Sequence, residues 1–336
     1  MRLALAAVLL VACSDYDLTA GNTKEPNQRD SGRDHDPGLD TADTDMDPGD
    51  SGDTDVPVTD VPDGKVDVML IVDIAYWYDC YRVDLAVDGG QLIDALYDSG
   101  ADVAVGVATY DDYMVDGEWF QAFGGYPYTL PTQLTTDRSR AKNAMTGLEF
   151  QWGGDDAGDG YEAIVQTADG LGYDQDCDGK YDEYYDIKPF KPKSSDAFGG
   201  GVGGLNDNGA TGTGEDPGVG WRENSKRVIV VFAENIIRDR NEGHTMPSGA
   251  CLGVASQSDA ANAIRGIQSK FLGVNAYEYQ MEDPRLQTQL EALADGTGSK
   301  IDRDGDGTED ELAVLSGSWD WPATNVIVKA IWDLAD

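Results

Sequence analysis

Two short runs of carboxylates carry the most specific chemistry in this chain. Asp174, Asp176, Asp178 and Asp182 stand at alternating positions around Gly179, and Asp302, Asp304, Asp306 and Asp310 repeat the same spacing around Gly307. In a tight loop, side chains at alternate positions converge on one point, the glycine permits the sharp turn, and an all-oxygen shell of this kind suits calcium. Carboxylates set this close repel one another unless a cation neutralises them. We therefore expect calcium in both loops. The ligand sets are Asp174, Asp176, Asp178, Lys180 and Asp182 in the first, and Asp302, Asp304, Asp306, Thr308 and Asp310 in the second. Neither loop has an acid at its twelfth position, which is Tyr185 in one and Ala313 in the other. A bidentate ligand must then come from Asp186, Glu311 or elsewhere, and affinity would fall toward the 10⁻⁴ to 10⁻³ M typical of extracellular modules, as an order of magnitude.

A second group of acids stands at the ends of apolar runs. Lys65 to Cys80 reads KVDVMLIVDIAYWYDC, in which Val66, Val68, Met69, Leu70, Ile71 and Val72 form a nearly continuous apolar stretch that ends in Asp73. Such a run, short and rich in β-branched residues, is expected of a central strand buried on both faces. RVIVVFAE, Arg227 to Glu234, repeats the pattern and also ends in an acid, and the loop GGDDAGDGYEAI holds Asp155. A carboxylate at the carboxyl end of a central parallel strand sits where open α/β sheets form their binding crevices. Tyr76, Trp77, Tyr78, Tyr81, Trp119, Tyr126 and Tyr128 are placed to gather on the same side, where aromatic residues would serve recognition or the core.

Catalytic patterns are weak. His244 lies in NEGHTMP near Cys251, but no third group orients the pair, there is no His-Glu-x-x-His, and the glycines from 199 to 204 lack the lysine of a phosphate loop. The sequence does not read as an enzyme.

The rest of the chain bounds the setting. Of 336 residues, 63 are Asp or Glu against 24 Lys or Arg, a net charge of −39 that repels nucleic acid and anionic lipid and favours cations. Arg2 followed by the apolar run Leu3 to Ala12 reads as an export signal, far shorter than the roughly 20 residues of a spanning helix. Residues 14–64 contain almost no aliphatic side chains and carry 15 acids against 3 bases, so they are expected to form a disordered acidic linker, about 40 Å across as a flexible coil and longer through self-repulsion. Export implies an oxidising compartment, and we expect a disulfide between Cys80 and Cys251, both read as lying in loops beyond strand ends, with Cys177 left over.

The elements that must position these groups alternate. Strands are expected over 66–73, 101–110, 227–234 and 271–279, and helices over 81–98, 138–148 with Asp137 as cap, 160–169, 259–270, 285–294 and 323–334. Gly89 and Gly90 interrupt the first of these helices, a strand pair is expected within 111–136, and residues 170–225 and 299–312 read as insertions. The result is an α/β domain over residues 65–336: a three-layer open sheet, mostly parallel, with helices on both faces.

This order of strands, with acids at their ends and in the Gly153 loop, resembles the von Willebrand factor type A domain of bacterial, integrin-β-like proteins. The resemblance implies a metal-ion-dependent adhesion site in which Mg²⁺ completes its shell with an acidic group of a partner. Asp73 would be the first ligand, Asp155 the loop ligand, and Glu234 the residue at the end of the fourth strand. Ala75 and Trp77 stand where the motif has two serines, and Gly158 where a glutamate is common. The two aspartate ladders are similar to the loops of EF-hands, dockerins and thrombospondin type 3 repeats. Leu10 to Cys13 resembles a lipobox, implying that Cys13 receives lipid and that the protein is an outer-membrane lipoprotein, facing the periplasm or the cell surface. Membrane contact would be through that anchor only. The expected function is adhesion or binding of a protein or glycan at the cell envelope, without nucleic acid; the alternatives are a purely structural envelope role and a Cys/His hydrolase built on Cys251 and His244.

Overall fold

The computed structural model describes residues 61–74, 79–113, 127–149, 157–170, 172–174, 187, 219–242, 254–276, 284–303, 306–316 and 324–336, the side chains of 79–86 excepted. The export signal, Cys13 and the acidic linker up to residue 60 lie outside these residues. All the described residues belong to the second of two compact units, Pro57–Asp336.

The sheet is built around β1 (Lys65–Asp73), which is buried at every residue after the first. Its alternation explains why an almost unbroken apolar run is needed: Val66, Val68, Leu70 and Val72 enter one core layer while Met69 and Ile71 enter the other. The chain then forms α1 (Asp79–Asp98), β2 (Asp102–Tyr110), β3 (Thr129–Thr135), α2 (Arg138–Thr146), β4 (Ala157–Gly158) and α3 (Gly160–Asp169). It continues through β5 (Lys226–Ala233), β6 (Ile236–Ile237), α4 (Gln257–Gly266), β7 (Ser269–Asn275) and α5 (Pro284–Thr297). It closes with β8 (Lys300–Ile301), β9 (Glu311–Leu312), β10 (Val314–Ser316) and α6 (Thr324–Ala335).

Six of these strands form one sheet in the order β3-β2-β1-β5-β7-β10. β1 is parallel to both β2 and β5, β5 to β7 and β7 to β10, and only the edge strand β3 is antiparallel. Buried residues of α1, α2 and α6 belong to the layer containing Val66, and those of α3, α4 and α5 to the layer containing Met69. The fold is thus a mixed α/β architecture with a mostly parallel sheet covered on both faces. From β1 the chain first builds outward through β2 and β3, then returns to the other side of β1 to build β5, β7 and β10. The switch in direction falls between β1 and β5, which directs attention to the carboxyl ends of β1, β2 and β5.

Several local expectations shift. α1 runs unbroken through Gly89 and Gly90, because these glycines let α2 approach: a Cβ at Gly89 would lie 2.7 Å from Met145 Cγ. Cys80 sits in the first turn of α1 rather than in a loop, while Cys251 lies outside the described residues, as does Cys177. The helix expected over 259–270 spans 257–266. Ser256 and Asp259 form a reciprocal capping box ahead of it, and Gln268, at φ 55°, ends it. Among the described residues of 111–136 there is one strand, β3. The three-residue β10 gave no sequence signal, being shorter than any periodicity can register.

The last residues of the segment read as an insertion join the core. Trp221 is fully buried, and Arg222 clamps the amino ends of β1 and β2 from below. Its Nε reaches Asp67, its Nη1 donates to Asp102 Oδ1 at 2.6 Å, and its Nη2 donates to the carbonyls of Val66 and Asp102 at 2.9 and 2.8 Å. Asp67, fully buried, also accepts from the Arg222 amide and the Ser225 hydroxyl. Replacing Arg222 with alanine would leave Asp67 buried without its counter-ion. The expected loss is about 3–5 kcal/mol in urea unfolding, and a loss under about 1 kcal/mol would show that the pair behaves like a surface bridge.

Candidate functional site

The carboxyl ends of the central strands carry a rim of buried acids. Asp73 closes β1 and is fully buried; its Oδ2 accepts from the amides of Glu234 and Asn235, each at 3.3 Å, where the chain leaves β5. The Ile74 amide donates to the Tyr110 carbonyl at 2.9 Å, holding the ends of β1 and β2 level. β2 is followed at once by Asp111, Asp112 and Tyr113, all buried. The two-residue strands β4 and β6 pair in parallel above them, and the Arg238 amide extends that ladder by donating to the Gly158 carbonyl at 2.8 Å.

Arg238, 1 % exposed, occupies the middle of this rim. Its Nε donates to Asp159 Oδ1 at 2.7 Å, and its Nη2 donates to Asp112 Oδ1 at 3.2 Å and to the Ala157 carbonyl at 2.7 Å. Asp159 stands at the N-cap of α3 without capping it, because its side chain is turned to the guanidinium. Nearby, Glu162 accepts from the Tyr113 hydroxyl and the Gln166 amide, each at 2.7 Å, and Asp239 accepts from the amides of Asn241 and Gln257 at 2.7 and 2.9 Å.

Charge and hydrogen bonding do not balance here. Both oxygens of Asp111, Oδ2 of Asp159, the Tyr161 hydroxyl and Nδ2 of Asn235 are buried without a hydrogen-bond partner. Burial pushes the Asp111 carboxyl well above the usual range, and the charges of Asp112 and Asp73 push it further. The adjacent Asp112 amide lies near enough to favour the anion slightly, without the alignment of a hydrogen bond. Burial also raises Asp159, against the pull of Arg238, and raises Glu162, against its Gln166 and Tyr113 donors. A concentration of unsatisfied buried groups at one end of a sheet is a mark of function rather than of stability.

Of the predicted adhesion residues, Asp73 and the backbone of Glu234 meet, and Asp155 lies outside the described residues. Gly158, which stands where a glutamate is common in the family it resembles, has a packing reason. A Cβ there would sit 2.9 Å from Tyr110 Cε2 and 3.7 Å from Asp73 Oδ2. Asp111, Asp112, Asp159 and Arg238 escaped the sequence reading. The first two follow a buried strand just as Asp73 does and could have been found by the same rule, whereas nothing local marks Arg238 as buried. Among the described residues no group of three or more acidic, histidine or cysteine side chains has metal-holding geometry. Tyr128 is buried in the core. Tyr76, Trp77, Tyr78, Trp119, Tyr126, His244 and Cys251 lie outside the described residues, as does the side chain of Tyr81.

The two aspartate ladders spring from other elements, and the base of the first meets the rim where Tyr173 packs edge-on against Tyr113, ring centroids 5.4 Å apart. The first is closed at its base by Tyr173 and Ile187, which exchange amide-to-carbonyl bonds of 2.8 and 2.9 Å; within it Asp174 is described, and Asp176, Asp178, Lys180 and Asp182 are not. The second springs from the β8–β9 pair, where Lys300 opposes Leu312. Asp302 accepts from the amides of Asp306 and Gly307 at 3.1 and 3.0 Å, Asp306 accepts from the Thr308 amide at 2.8 Å, and Glu311 accepts from the Arg303 amide at 3.1 Å. Gly307, at φ 86°, makes the sharp turn its position called for. Asp304 lies outside the described residues. Lys329 of α6 reaches the Asp302 carbonyl at 2.8 Å. A separate cleft of about 600 Å³ runs between α3 and α4, lined by Glu162, Gln166, Asp169, Arg240 and Asp259 among others, and Asp73, Asp111 and Asp112 do not line it. Among the described residues no helix is long and apolar enough to cross a membrane.

No family model matches the chain, and no curated protein sequence matches it. Among solved structures it is similar to proximal thread matrix protein 1 from the mussel byssus, in its second crystal form, at 11 % identity with a TM-score of 0.45. The likeness covers 82 % of this chain and 49 % of that one, so the chain spans about half the length of the mussel protein.

The raised Asp111 carboxyl has a signed consequence. Its folded pKa lies above its unfolded value, so its contribution to stability is fully present below pH about 4 and is lost as pH rises through the folded value. Asp111→Asn should therefore stabilise the domain at neutral pH by about 1–3 kcal/mol, with the gain shrinking toward zero as pH falls to about 4. Urea unfolding of both proteins across that range reads the difference; a gain that does not vary with pH would rule out titration of Asp111 as its source.

Proposed function

We propose that this chain is an exported, lipid-anchored recognition module related to von Willebrand factor type A domains, which binds a protein or glycan partner at the cell envelope through the rim formed at the carboxyl ends of β1, β2 and β5. The observation that carries this reading is the meeting of a topological switch point with buried polar groups left unmatched at Asp111, Asp159, Tyr161 and Asn235. A sheet end serving stability alone would be expected to pair such groups internally. Calcium stiffens the ladders at 174–182 and 302–310, and the closed bases of both loops support that role by fixing the two ends of each loop side by side.

Two measurements test this. Full-length protein immobilised on beads should retain one dominant envelope component, and Asn235→Arg at the rim should abolish that retention at least tenfold while Asp98→Asn, on α1, leaves it intact. Equal retention by all three proteins would overturn the rim as the binding surface. Calcium titration calorimetry should register binding in the range of roughly 10⁻⁴ to 10⁻³ M, and the double variant Asp302→Asn, Asp306→Asn should lose one ion per chain. An unchanged ion count in that variant would remove the second ladder from the account.

A further inference from the structure

We propose that the guanidinium of Arg238 is the resident cation of the strand-end rim: it fills an oxygen cage that would otherwise call for a divalent ion, so the rim keeps its shape and works without metal. This inference rests on the geometry of the rim and holds whatever partner docks there.

Among the described residues the cage is formed by Asp112 Oδ1, Asp159 Oδ1 and the Ala157 carbonyl, at 3.2, 2.7 and 2.7 Å from guanidinium nitrogens. Two carboxylates and a backbone carbonyl converging on one fully buried point are the oxygen donors a hard cation takes. Here both the cation and its position are supplied by the chain. The Arg238 amide is bonded to the Gly158 carbonyl and the preceding residues pair with β4, so the side chain enters the rim from a fixed backbone. A guanidinium carries one charge spread over a plane and donates along fixed directions, unlike a divalent ion that accepts oxygens from all sides. The substitution should therefore leave a cage oxygen unserved, and it does: Asp159 Oδ2 is buried with no hydrogen-bond partner. The departures from the adhesion motif point the same way. Ala75, Trp77 and Gly158, standing where the adhesion motif that the sequence resembles has two serines and a glutamate, offer no side-chain oxygen to an ion.

The test compares the wild type with Arg238→Met, which keeps the volume and loses the charge, in EDTA and in millimolar Mg²⁺ or Ca²⁺. In EDTA the variant should melt about 10 °C lower, since two buried carboxylates lose their counter-ion. Adding the ion should recover at least 5 °C beyond any shift the wild type shows, and the variant should bind one ion more per chain in equilibrium dialysis. Taking the difference from wild type cancels the calcium loops, which both proteins share. If the variant does not fold in EDTA, refolding in Mg²⁺ or Ca²⁺ should restore it. The triple variant Arg238→Met, Asp112→Asn, Asp159→Asn should fold in EDTA and show no additional ion, because cation and cage are removed together. An Arg238→Met protein equally unstable with and without ion, or a triple variant no more stable in EDTA than the single one, overturns the proposal. Neither readout involves a partner, so failure of the bead experiment leaves this test untouched.

Discussion

Charge buried at the two ends of a covered sheet is the constraint on which this molecule depends. With α1, α2 and α6 on one face and α3, α4 and α5 on the other, the central strands have no room for polar side chains along their length. Carboxylates can enter only at the amino and carboxyl poles. At the amino pole Asp67 is matched completely: Arg222, the Arg222 amide and the Ser225 hydroxyl use its lone pairs. At the carboxyl pole Asp112 and Asp159 hold Arg238, Asp111 lies within the field of Asp73 and Asp112, and the matching is incomplete. A buried ion pair is a poor source of net stability but a strong source of geometric uniqueness where its geometry is satisfied. The first pole uses that property to pin strands; the second gives some of it up.

The same contrast explains which connections are short and which are long. β4 and β6 contribute only two residues each, yet their pairing aims Arg238 inward and brings Gly158 over Tyr110. Gln289 of α5 reinforces that pairing from behind, accepting from the Ile237 amide at 2.8 Å and donating to the Ile237 carbonyl at 2.7 Å. Among the described residues the rim is held by backbone ladders and a buried glutamine.

Much of this architecture could be read from residue types. Burial on both faces demands continuous apolar strands, and Val66 to Val72 and Val228 to Ala233 supply them; helix caps at Asp137 and Gly170 mark boundaries within a residue or two. What could not be read shares one cause, dependence on a distant partner. Gly89 and Gly90 look like helix breakers until Met145 is seen across the interface. Trp221 and Arg222 look like the tail of an insertion until Asp67 is found 155 residues away. Arg238 looks like an ordinary loop cation until two acids from separate strand ends close over it. Asp111 and Asp112 are legible by the rule that singles out Asp73, since both directly follow a buried apolar strand.

The direction of β1 sets a polarity for the whole body. Lys65 begins the strand beside Glu223, and Lys226 on the neighbouring strand holds the carbonyl of Asp336, so the point of entry and the final residue share one end. Asp73 closes the nine-residue strand at the other end, about 26 Å away at the rise of an extended chain. The acidic rim and the end shared by Lys65 and Asp336 therefore lie at opposite edges of the sheet, so a charge altered at one reaches the other only across the apolar strands between them.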